Sequence, residues 1–452
     1  MRPKLPIFFL ILLSVATVAH ANDSPVASFF HIPSRVSASG QHDSLLVLGG
    51  RVMCNGRPVP YATLQLQGTS LGVSCNDAGE YVFKIHQTHE NDTVLVRSLG
   101  CVSLKTTVAR LRKNGDIRLK AHVVELKPVA ISDFRTARHL LLAVVNRIEQ
   151  NYQQKTAWST FFYRDWRSVD GELYLFDEAV MNVRRCPYSQ YADKRAYLLD
   201  PSRREMESNI KTLLRHRLVV CDRKLLESKI VKSRGCDQML VYSDNEDFFD
   251  PVATPQASYA LAGRMLKEHT FEPIKTFSDD GEIYYLVRSV GPCRNSRERV
   301  RYEYTIRRSD LALVRLVSSQ QPLRTHAPRE VWVNWYYNSM VVEADSSVWT
   351  YDVRDGRYTL TRYYHTKSFR LESRGRGRDD MVQHWRQCLD WVLTDFSLTQ
   401  VDTSENQVSV SPQPLPSAFG GSDFDSGFWG HYNTVPIDLL PLQLLKEKFH
   451  LP

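Results

Sequence analysis

Long stretches of the chain alternate apolar and polar residues, and this period of two is what most constrains the fold. In the C-terminal half, apolar or aromatic side chains recur at every second position through most of residues 283–287, 302–306, 331–337 and 358–364. Alternation of this kind is typical of strands with one buried face. Asp-Gly pairs at 280–281 and 355–356 come just before two of these segments and favour two-residue hairpin turns. The sequence therefore predicts an antiparallel, strongly curved sheet with a wide aromatic face.

A helical period opens this second domain, which we place at residues 137–402. Apolar residues at helical spacing predict one amphipathic helix of about four turns over 137–152. Asp170-Gly171 predicts a hairpin, and a second helix is expected over 205–218. The aromatic face has two interpretations, a filled core closed by the first helix or a half-barrel holding an apolar ligand. We favour the core, because aromatic strand faces usually bury one another.

Shorter alternating runs fill residues 45–131. They are separated by turns at Asn55-Gly56, Gly68 and Asp77-Ala78-Gly79, where glycine supplies the backbone angles that tight turns need. Several short strands at this spacing predict an antiparallel β-sandwich of about 85 residues. The fold class is thus mainly β, with one packing helix (α+β) in the second domain.

The motifs of this region occur in a recognisable order. They are Gly50-Arg51-Val52, the Pro58-Val59-Pro60-Tyr61-Ala62-Thr63 segment, Gly68-Thr69 with Gly72, Asn76-Asp77-Ala78-Gly79-Glu80-Tyr81, and Ser98-Leu99-Gly100-Cys101. Together they resemble the carboxypeptidase-regulatory-like domain, a prealbumin-like β-sandwich common in exported proteins of Gram-negative bacteria. Cys101 departs from that family, which usually carries an aromatic residue there. The resemblance implies a sandwich over residues 44–132 whose closing strand lies near 125–129.

The C-terminal segment carries a second resemblance. Phe428-Trp429, Tyr432-Asn433 and a terminal apolar helix resemble the C-terminal end of exported bacterial proteins that join this sandwich to a β-rich domain of unknown function. Asn151-Tyr152, Phe162-Tyr163-Arg164 and Glu178-Ala179 match the start of that second domain. The resemblance implies an envelope protein and supplies no catalytic residues.

Three aromatic residues of this segment need a partner surface. Residues 403–422 are rich in Ser, Pro and Gly and predict a linker to a docking segment at 423–452. Left in water, its large rings would form an exposed apolar patch. We expect the segment to dock on the aromatic sheet of the second domain, with Phe428, Trp429 and Tyr432 as structural anchors.

The first 21 residues have the pattern of a secretory signal peptide. Arg2 and Lys4 precede an apolar run at residues 7–18, and Ala19-His20-Ala21 supplies a small-residue cleavage site. We favour this over a buried N-terminal helix and expect cleavage at Ala21, followed by a flexible lead over 22–43. The predicted location is the periplasm or the outer-membrane or cell surface. No later stretch is apolar enough to predict a transmembrane span in the mature chain.

Catalytic patterns are weak. His269 and Glu272 form an H-x-x-E motif, and His384 follows at a spacing that suits a zinc carboxypeptidase. The Glu that such an enzyme needs well beyond its last ligand is missing, apart from Glu447 near the terminus. There is also no G-x-S-x-G, H-E-x-x-H or P-loop motif. The sequence predicts no catalytic, cofactor-binding or metal-ligating residue, and no cofactor.

Modification and partners follow from shorter patterns. Asp43-Ser44-Leu45 and Asp92-Thr93-Val94 are similar to an O-glycosylation pattern of Gram-negative bacteria, so Ser44 and Thr93 are candidate sites. Basic residues are interspersed with acidic ones, 58 against 50, which favours a solvated surface over nucleic-acid binding.

The sequence has eight cysteines and no C-x-x-C pair. An oxidising compartment would permit disulfides, but the sequence does not determine which cysteines pair.

These patterns predict a non-enzymatic exported envelope protein with a structural or binding role toward a protein, a glycan or an apolar ligand. Two alternatives stay open. One is a hydrolase with an unrecognised site in residues 137–402. The other is an accessory partner of an outer-membrane uptake system. The oligomeric state also stays open.

Overall fold

The computed structural model describes residues 45–121, 124–125, 136–185, 187–188, 210–233, 250–253, 260–261, 263–279, 281–292, 299–321, 337–374, 381–399 and 425–451. Across these residues the protein is mainly β, with antiparallel sheets and few helices. The fold class predicted from alternation is confirmed. No helix among the described residues is long and apolar enough to cross a membrane.

The first part of the chain is a β-sandwich. Its strands are β1 Leu45–Cys54, β2 Arg57–Pro58, β3 Thr63–Leu66, β4 Gly72–Ser74, β5 Glu80–His86, β6 Thr93–Ser98, β7 Cys101–Thr107 and β8 Ile117–Leu119. One sheet has the order β2-β1-β5 with β8 paired to β1, and the other has the order β4-β3-β6-β7. A short helix, α1 Val108–Lys113, joins β7 to β8.

Alternation along β5 shows how the sandwich core forms. Tyr81, Phe83 and Ile85 are buried in the core, and the residues between them face outward. At one edge the backbones of Gly50 and Gly115 lie close together. A Cβ added to Gly50 would lie 2.2 Å from the Gly115 carbonyl oxygen, so this approach requires glycine.

The second sheet has twelve strands. They are β9 Val124–Glu125, β10 Ala157–Val169, β11 Glu172–Arg185, β12 Ile210–Cys221, β13 Thr270–Phe271, β14 Lys275–Asp279, β15 Glu282–Pro292, β16 Arg299–Arg307, β17 Leu313–Gln321, β18 Tyr337–Arg354, β19 Arg357–Arg374 and β20 Met381–Ser397. The order is β12-β11-β10-β20-β19-β18-β17-β16-β15-β14-β9, with β13 paired to β15. We call it the large sheet.

The predicted hairpin turns fall where the strands reverse. Asp170-Gly171 joins β10 to β11, and its φ angles of 51° and 82° are those of a tight hairpin turn. Asp355-Gly356 joins β18 to β19 with φ angles of 49° and 74°. Both hairpins are confirmed. Gly281 precedes β15 with a φ of 82°, whereas Asp280 and the alternating segment 331–336 lie outside the described residues.

Three local expectations differ from the structure. The predicted 137–152 helix is divided into α2 Ala137–Asn146 and α3 Ile148–Asn151, because Arg147 leaves helical geometry with φ −98° and ψ 0°. The expected 205–218 helix is wrong in its described part, where β12 pairs with β11 along most of its length. Pairing with a neighbouring strand overrides a local helical pattern.

The third difference concerns the end of the sandwich. The resemblance predicts a closing strand near 125–129, of which Glu125 alone lies in the described residues, and Glu125 pairs with Phe277 of β14 in the large sheet. This pairing gives β14 a hydrogen-bonded neighbour on the side away from β15, where its backbone would otherwise form an open edge. Among the described residues, Ala121 still belongs to the sandwich, because it bridges to Cys101.

Both faces of the large sheet are covered at β10 and β11. On one side, which we call the helix face, Phe161 and Tyr163 of β10 pack in an aromatic core with residues of α2, α3 and a short helix α5, Gly263–Glu268. Another helix, α4 Arg223–Ser233, packs at β11. Because successive strand residues point to opposite faces, Phe162 and Trp166 lie on the other side. They contact the C-terminal residues of the chain.

Candidate functional site

Residues 425–451, which we call the strap, lie between the sandwich and the large sheet. The strap contains α6 Ser426–His431 and α7 Leu439–Phe449. The Asp425 carboxylate begins α6 by accepting a hydrogen bond from the Phe428 backbone N–H at 2.9 Å. The strap contacts the large sheet, as expected, and it also contacts the sandwich.

Trp429 is buried in the contact between the strap and the large sheet. Its side chain is 3% exposed and packs with Phe162, Val180 and Val392 of the sheet. The Arg217 guanidinium lies 4.1 Å from the centre of the indole ring, a cation–π distance. The three predicted anchors therefore come together: Phe428 stacks on Tyr432 at 5.0 Å, and Trp429 meets both rings edge-on.

A buried carboxylate links two arginines beneath the strap. Glu178 accepts hydrogen bonds from Arg164 Nε at 2.7 Å and from Arg217 Nε at 2.6 Å. Burial alone would raise the pKa of Glu178, but the two guanidiniums more than offset this, and the pKa lies below its usual value. Glu178 therefore remains a carboxylate, and both arginines are held in fixed positions.

Arg164 extends this network into the strap backbone. Its Nη2 donates to the carbonyl oxygen of Val435 at 2.6 Å, and its Nη1 donates to that of Pro436 at 3.1 Å. Further along, Leu444 and Leu445 of α7 pack in a cluster with Trp166 and Phe176 of the sheet. The strap is thus held to the large sheet by a charged network at its centre and by apolar clusters at both ends.

The strap also bonds to the sandwich. The Asn433 side chain accepts a hydrogen bond from Lys84 N at 2.7 Å and donates one to Lys84 O at 2.9 Å. The Lys84 ammonium donates to the carbonyl oxygens of Trp429 and Tyr432, both at 3.0 Å. Burial, and to a smaller extent the charge of Arg217, lower the pKa of Lys84 to about 8.

A second set of bonds joins the strap to the turn before β5. Asn76 Nδ2 donates to Ile437 O at 3.0 Å, and Asp77 N donates to Asp438 Oδ1 at 2.9 Å. In return, Leu439 N donates to Asp77 Oδ1 at 3.0 Å, which places that carboxylate at the start of α7. Lys84 and Asn76 are both residues of the sandwich, so one short strap segment bonds to it at two places.

The sandwich and the large sheet also meet directly. Arg362 of β19 forms a two-point ion pair with Asp390 of β20, at 3.0 and 2.7 Å. The same guanidinium donates to Ser74 Oγ of the sandwich at 3.0 Å and lies 4.1 Å from the centre of the Tyr61 ring. Asp390 is buried, which raises its pKa, although Arg362 counteracts that effect. The contact between the two parts is therefore charged, buried and internally paired.

A cleft of about 750 Å³ is lined by residues of the sandwich and by one residue of the strap. Its lining combines four charged side chains with backbone and apolar groups: Gly50, Arg51, Met53, Asn55, Gly56, Glu80, Tyr81, Val82, Asp116, Arg118, Leu119 and, from the strap, Pro436. Arg51 Nη2 lies 2.6 Å from Glu80 Oε1, and the Arg51 backbone N–H donates to Asp116 at 3.2 Å. Arg51 and Arg118 are exposed, so the cleft presents charge to solvent.

A separate acid–base pair lies on the helix face of the large sheet. His216 Nε2 is 2.6 Å from Asp177 Oδ1, and both side chains are buried. Burial raises the pKa of Asp177 to about 6, and its hydrogen bond to His216 partly opposes the shift. Asp165 lies opposite Asp177 on the neighbouring strand and pairs with Arg167 at 2.9 Å.

The histidines of the zinc carboxypeptidase pattern do not come together. His269 lies before β13, which pairs with β15, and contacts Ser289 at 3.2 Å. His384 lies on β20, which is five strands from β15 in the sheet order, or roughly 24 Å measured along the sheet. Among the described residues, no group of three or more His, Cys, Asp or Glu side chains is arranged to hold a metal ion.

Of the candidate glycosylation and cleavage sites, Thr93 alone lies in the described residues. Thr93 opens β6 and is partly exposed, and its carbonyl oxygen accepts a hydrogen bond from Gln67 N at 2.8 Å. Ala21 and Ser44 lie outside the described residues.

The sequence does not predict the network that holds the strap, although each member belongs to one of the motifs described above. Arg164 and Glu178 lie in segments that match the second domain, Asn76 lies in a sandwich motif, and Asn433 lies in the terminal motif. The structure brings these separated motifs together around the strap. A polar residue in each of several distant motifs was the signal that could have indicated a shared buried site.

No protein-family model and no curated protein matches the chain. A LolA superfamily protein from Nitrosomonas europaea is similar in structure at 10% identity and a TM-score of 0.20, over 58% of this chain and 94% of that chain. A Bacteroides fragilis protein of unknown function, described as membrane-associated, is similar at 8% identity and a TM-score of 0.13, over 78% and 99%. Likenesses at these TM-scores support no conclusion about this chain.

Proposed function

We propose that the chain is an exported envelope protein that binds a polar envelope component at the cleft and catalyses no reaction. The strap fixes the sandwich against the large sheet, and Pro436 of the strap forms part of the cleft wall. The binding surface would therefore depend on the strap being docked.

The proposal rests on a difference between two groups of charged side chains, those buried and paired beneath the strap and those exposed in the cleft. On the strap face, Glu178 is buried between two guanidiniums and is held as a carboxylate. A carboxylate stabilised in this way is a poor proton acceptor, which disfavours a role as a general base. The cleft, by contrast, is lined by the exposed residues Arg51, Asp116 and Arg118, which a ligand can reach.

Export is supported by the sequence pattern at the N-terminus. The basic start, the apolar run and the cleavage site at Ala21 form the three parts of a secretory signal peptide. The resemblance to the regulatory-like sandwich, and that of the terminal motif, also favour an envelope location.

The lining of the cleft favours a charged glycan as the ligand. It carries two guanidiniums and two carboxylates next to the apolar residues Met53 and Pro436. A glycan that bears carboxyl and amide groups offers matching polar edges and also the apolar faces of its sugar rings. Ligand sites usually combine an apolar lining with a few placed polar groups in this way.

Titration calorimetry with soluble muropeptides tests the proposal. The mature chain, residues 22–452, should bind them, and Arg118→Glu should weaken binding at least tenfold by reversing one charge of the cleft. Arg110→Glu is the matched control, because Arg110 lies on α1, is not part of the cleft lining and should leave binding unchanged.

Two results would contradict the proposal. Absence of heat with muropeptides, or equal affinity of the Arg118→Glu variant, would remove the cleft as a glycan site. Release of cleaved product from the same muropeptides during the titration would show a hydrolase instead of a binding protein.

A further inference from the structure

Two cysteines lie next to each other at one corner of the sandwich. Cys54 ends β1 and pairs with Leu119 at the end of β8. Cys101 begins β7 and bridges to Ala121, two residues beyond Leu119. A hydrogen bond from Val102 N to Lys120 O at 2.8 Å holds the segment between these two pairings against β7. The two cysteines thus flank the same three-residue segment.

Their thiols are neighbours in the sandwich core. An interaction with the Cys54 side chain is one of the causes, after burial, that raise the pKa of Cys101. Cys101 is 7% exposed in the sandwich core, and Cys54 is partly buried against the same core. The other described cysteines have different surroundings: Cys75 lies near Arg362, Cys388 bonds to Tyr364, and Cys221 is exposed at the end of β12.

We propose that Cys54 and Cys101 form a disulfide bond that connects the two sheets of the sandwich. The bond would join the end of β1 in one sheet to the start of β7 in the other. It forms in the chain's oxidising compartment, and in that respect it rests on the proposed export.

The reaction is exchange with a donor disulfide, which is the oxidant. The thiolate of Cys54 attacks one donor sulfur, breaks the donor S–S bond and releases one donor thiol. Cys101 then attacks the Cys54 sulfur of the mixed disulfide and releases the second donor thiol. Two protein thiols are oxidised, one donor disulfide is reduced to two thiols, and the two cysteine protons pass to the departing sulfurs.

The surroundings of the two thiols set this order of attack. Burial, together with the hydrogen bond to Cys54, raises the pKa of Cys101 to about 12. Cys101 therefore stays protonated near neutral pH and reacts second, whereas the more exposed Cys54 meets the donor first.

Mass spectrometry of the purified mature chain tests the pairing without reference to its location in the cell. The chain is reduced, equilibrated with oxidised glutathione, denatured and alkylated. We expect a mass loss of two hydrogens and a cross-linked peptide that contains Cys54 and Cys101. Oxidation should also raise the melting temperature by roughly 5–15 °C, because the cross-link closes a long loop in the unfolded chain.

Variants separate this disulfide from others. Cys54→Ser and Cys101→Ser should each abolish the cross-link and the rise in melting temperature, whereas Cys221→Ser should retain both. The proposal is overturned if both thiols are alkylated, if Cys54 stops at a glutathione adduct, or if it pairs with another cysteine while circular dichroism shows a native fold. A pair that forms in vitro but is reduced in chain isolated from cells would support the disulfide and contradict export.

Discussion

The side-chain amide of Asn433 pairs with the backbone of Lys84 as a neighbouring strand would. It accepts from Lys84 N at 2.7 Å and donates to Lys84 O at 2.9 Å. β5 lies at the edge of its sheet, with β1 on its other side. Exposed edge strands invite pairing with other chains, and here one asparagine of the strap covers that edge.

Asn433→Ala should lower the free energy of unfolding by about 1–3 kcal/mol, because it removes both bonds and leaves two backbone groups of a partly buried strand without these partners. Chemical denaturation followed by tryptophan fluorescence measures this change. Gln443→Ala, an exposed polar position on α7 of the same strap, should change the value by less than about 0.5 kcal/mol. Equal effects of the two variants would show that the edge contact is not stabilising.

Trp429→Ala should cost about 3–5 kcal/mol, as is typical for truncating a buried tryptophan. The indole is 3% exposed and packs with Phe162, Val180 and Val392, so the variant loses both this packing and the contact with Arg217. Thermal melts compare it with Leu439→Ala, whose side chain is 55% exposed. If both variants melt alike while muropeptide binding is lost, the segment is a recognition element and not a structural one.

Glu178→Gln should destabilise the protein by about 3–5 kcal/mol, because it leaves two buried guanidiniums without their shared carboxylate. Glu172→Gln is the control, since its side chain is 63% exposed and lies 3.9 Å from Lys229. Urea denaturation at neutral pH measures both. If Glu178→Gln unfolds at the same urea concentration as the wild type, other groups stabilise the two arginines.

Lys84 should make stability depend on pH. Its pKa is lowered from 10.5 to about 8 in the folded chain, so the unfolded chain binds more protons between these values. Its contribution to stability therefore rises as pH increases from about 8 to 10.5, by on the order of 3 kcal/mol. Lys84→Met should lack this rise, and Lys105→Met, at an exposed position of β7, should keep it. If the free energy of unfolding depends on pH in the same way for the wild type and for Lys84→Met, Lys84 is not the group responsible for this rise.

The sequence predicts the hairpin turns, which depend on neighbouring residues. It does not predict the contacts between segments that are distant in the chain. Asp170-Gly171 and Asp355-Gly356 are hairpin turns because their local chemistry allows positive φ. The prediction of a helix over 205–218 is wrong in the described part, because pairing with β11 determines the structure of β12. The contacts of Asn76 and Asn433 join residues more than 340 positions apart, and no local pattern encodes such a contact.

The central claim is that the strap joins the sandwich to the large sheet, and calorimetric unfolding tests it most directly. Residues 22–452 are compared with residues 22–424, which lack the strap with its bonds to Lys84, Asn76 and Arg164. The account predicts a single cooperative transition for the longer chain and two separate transitions at lower temperatures for the shorter one. If both chains show the same transitions at the same temperatures, the strap does not join the two parts and the claim is contradicted.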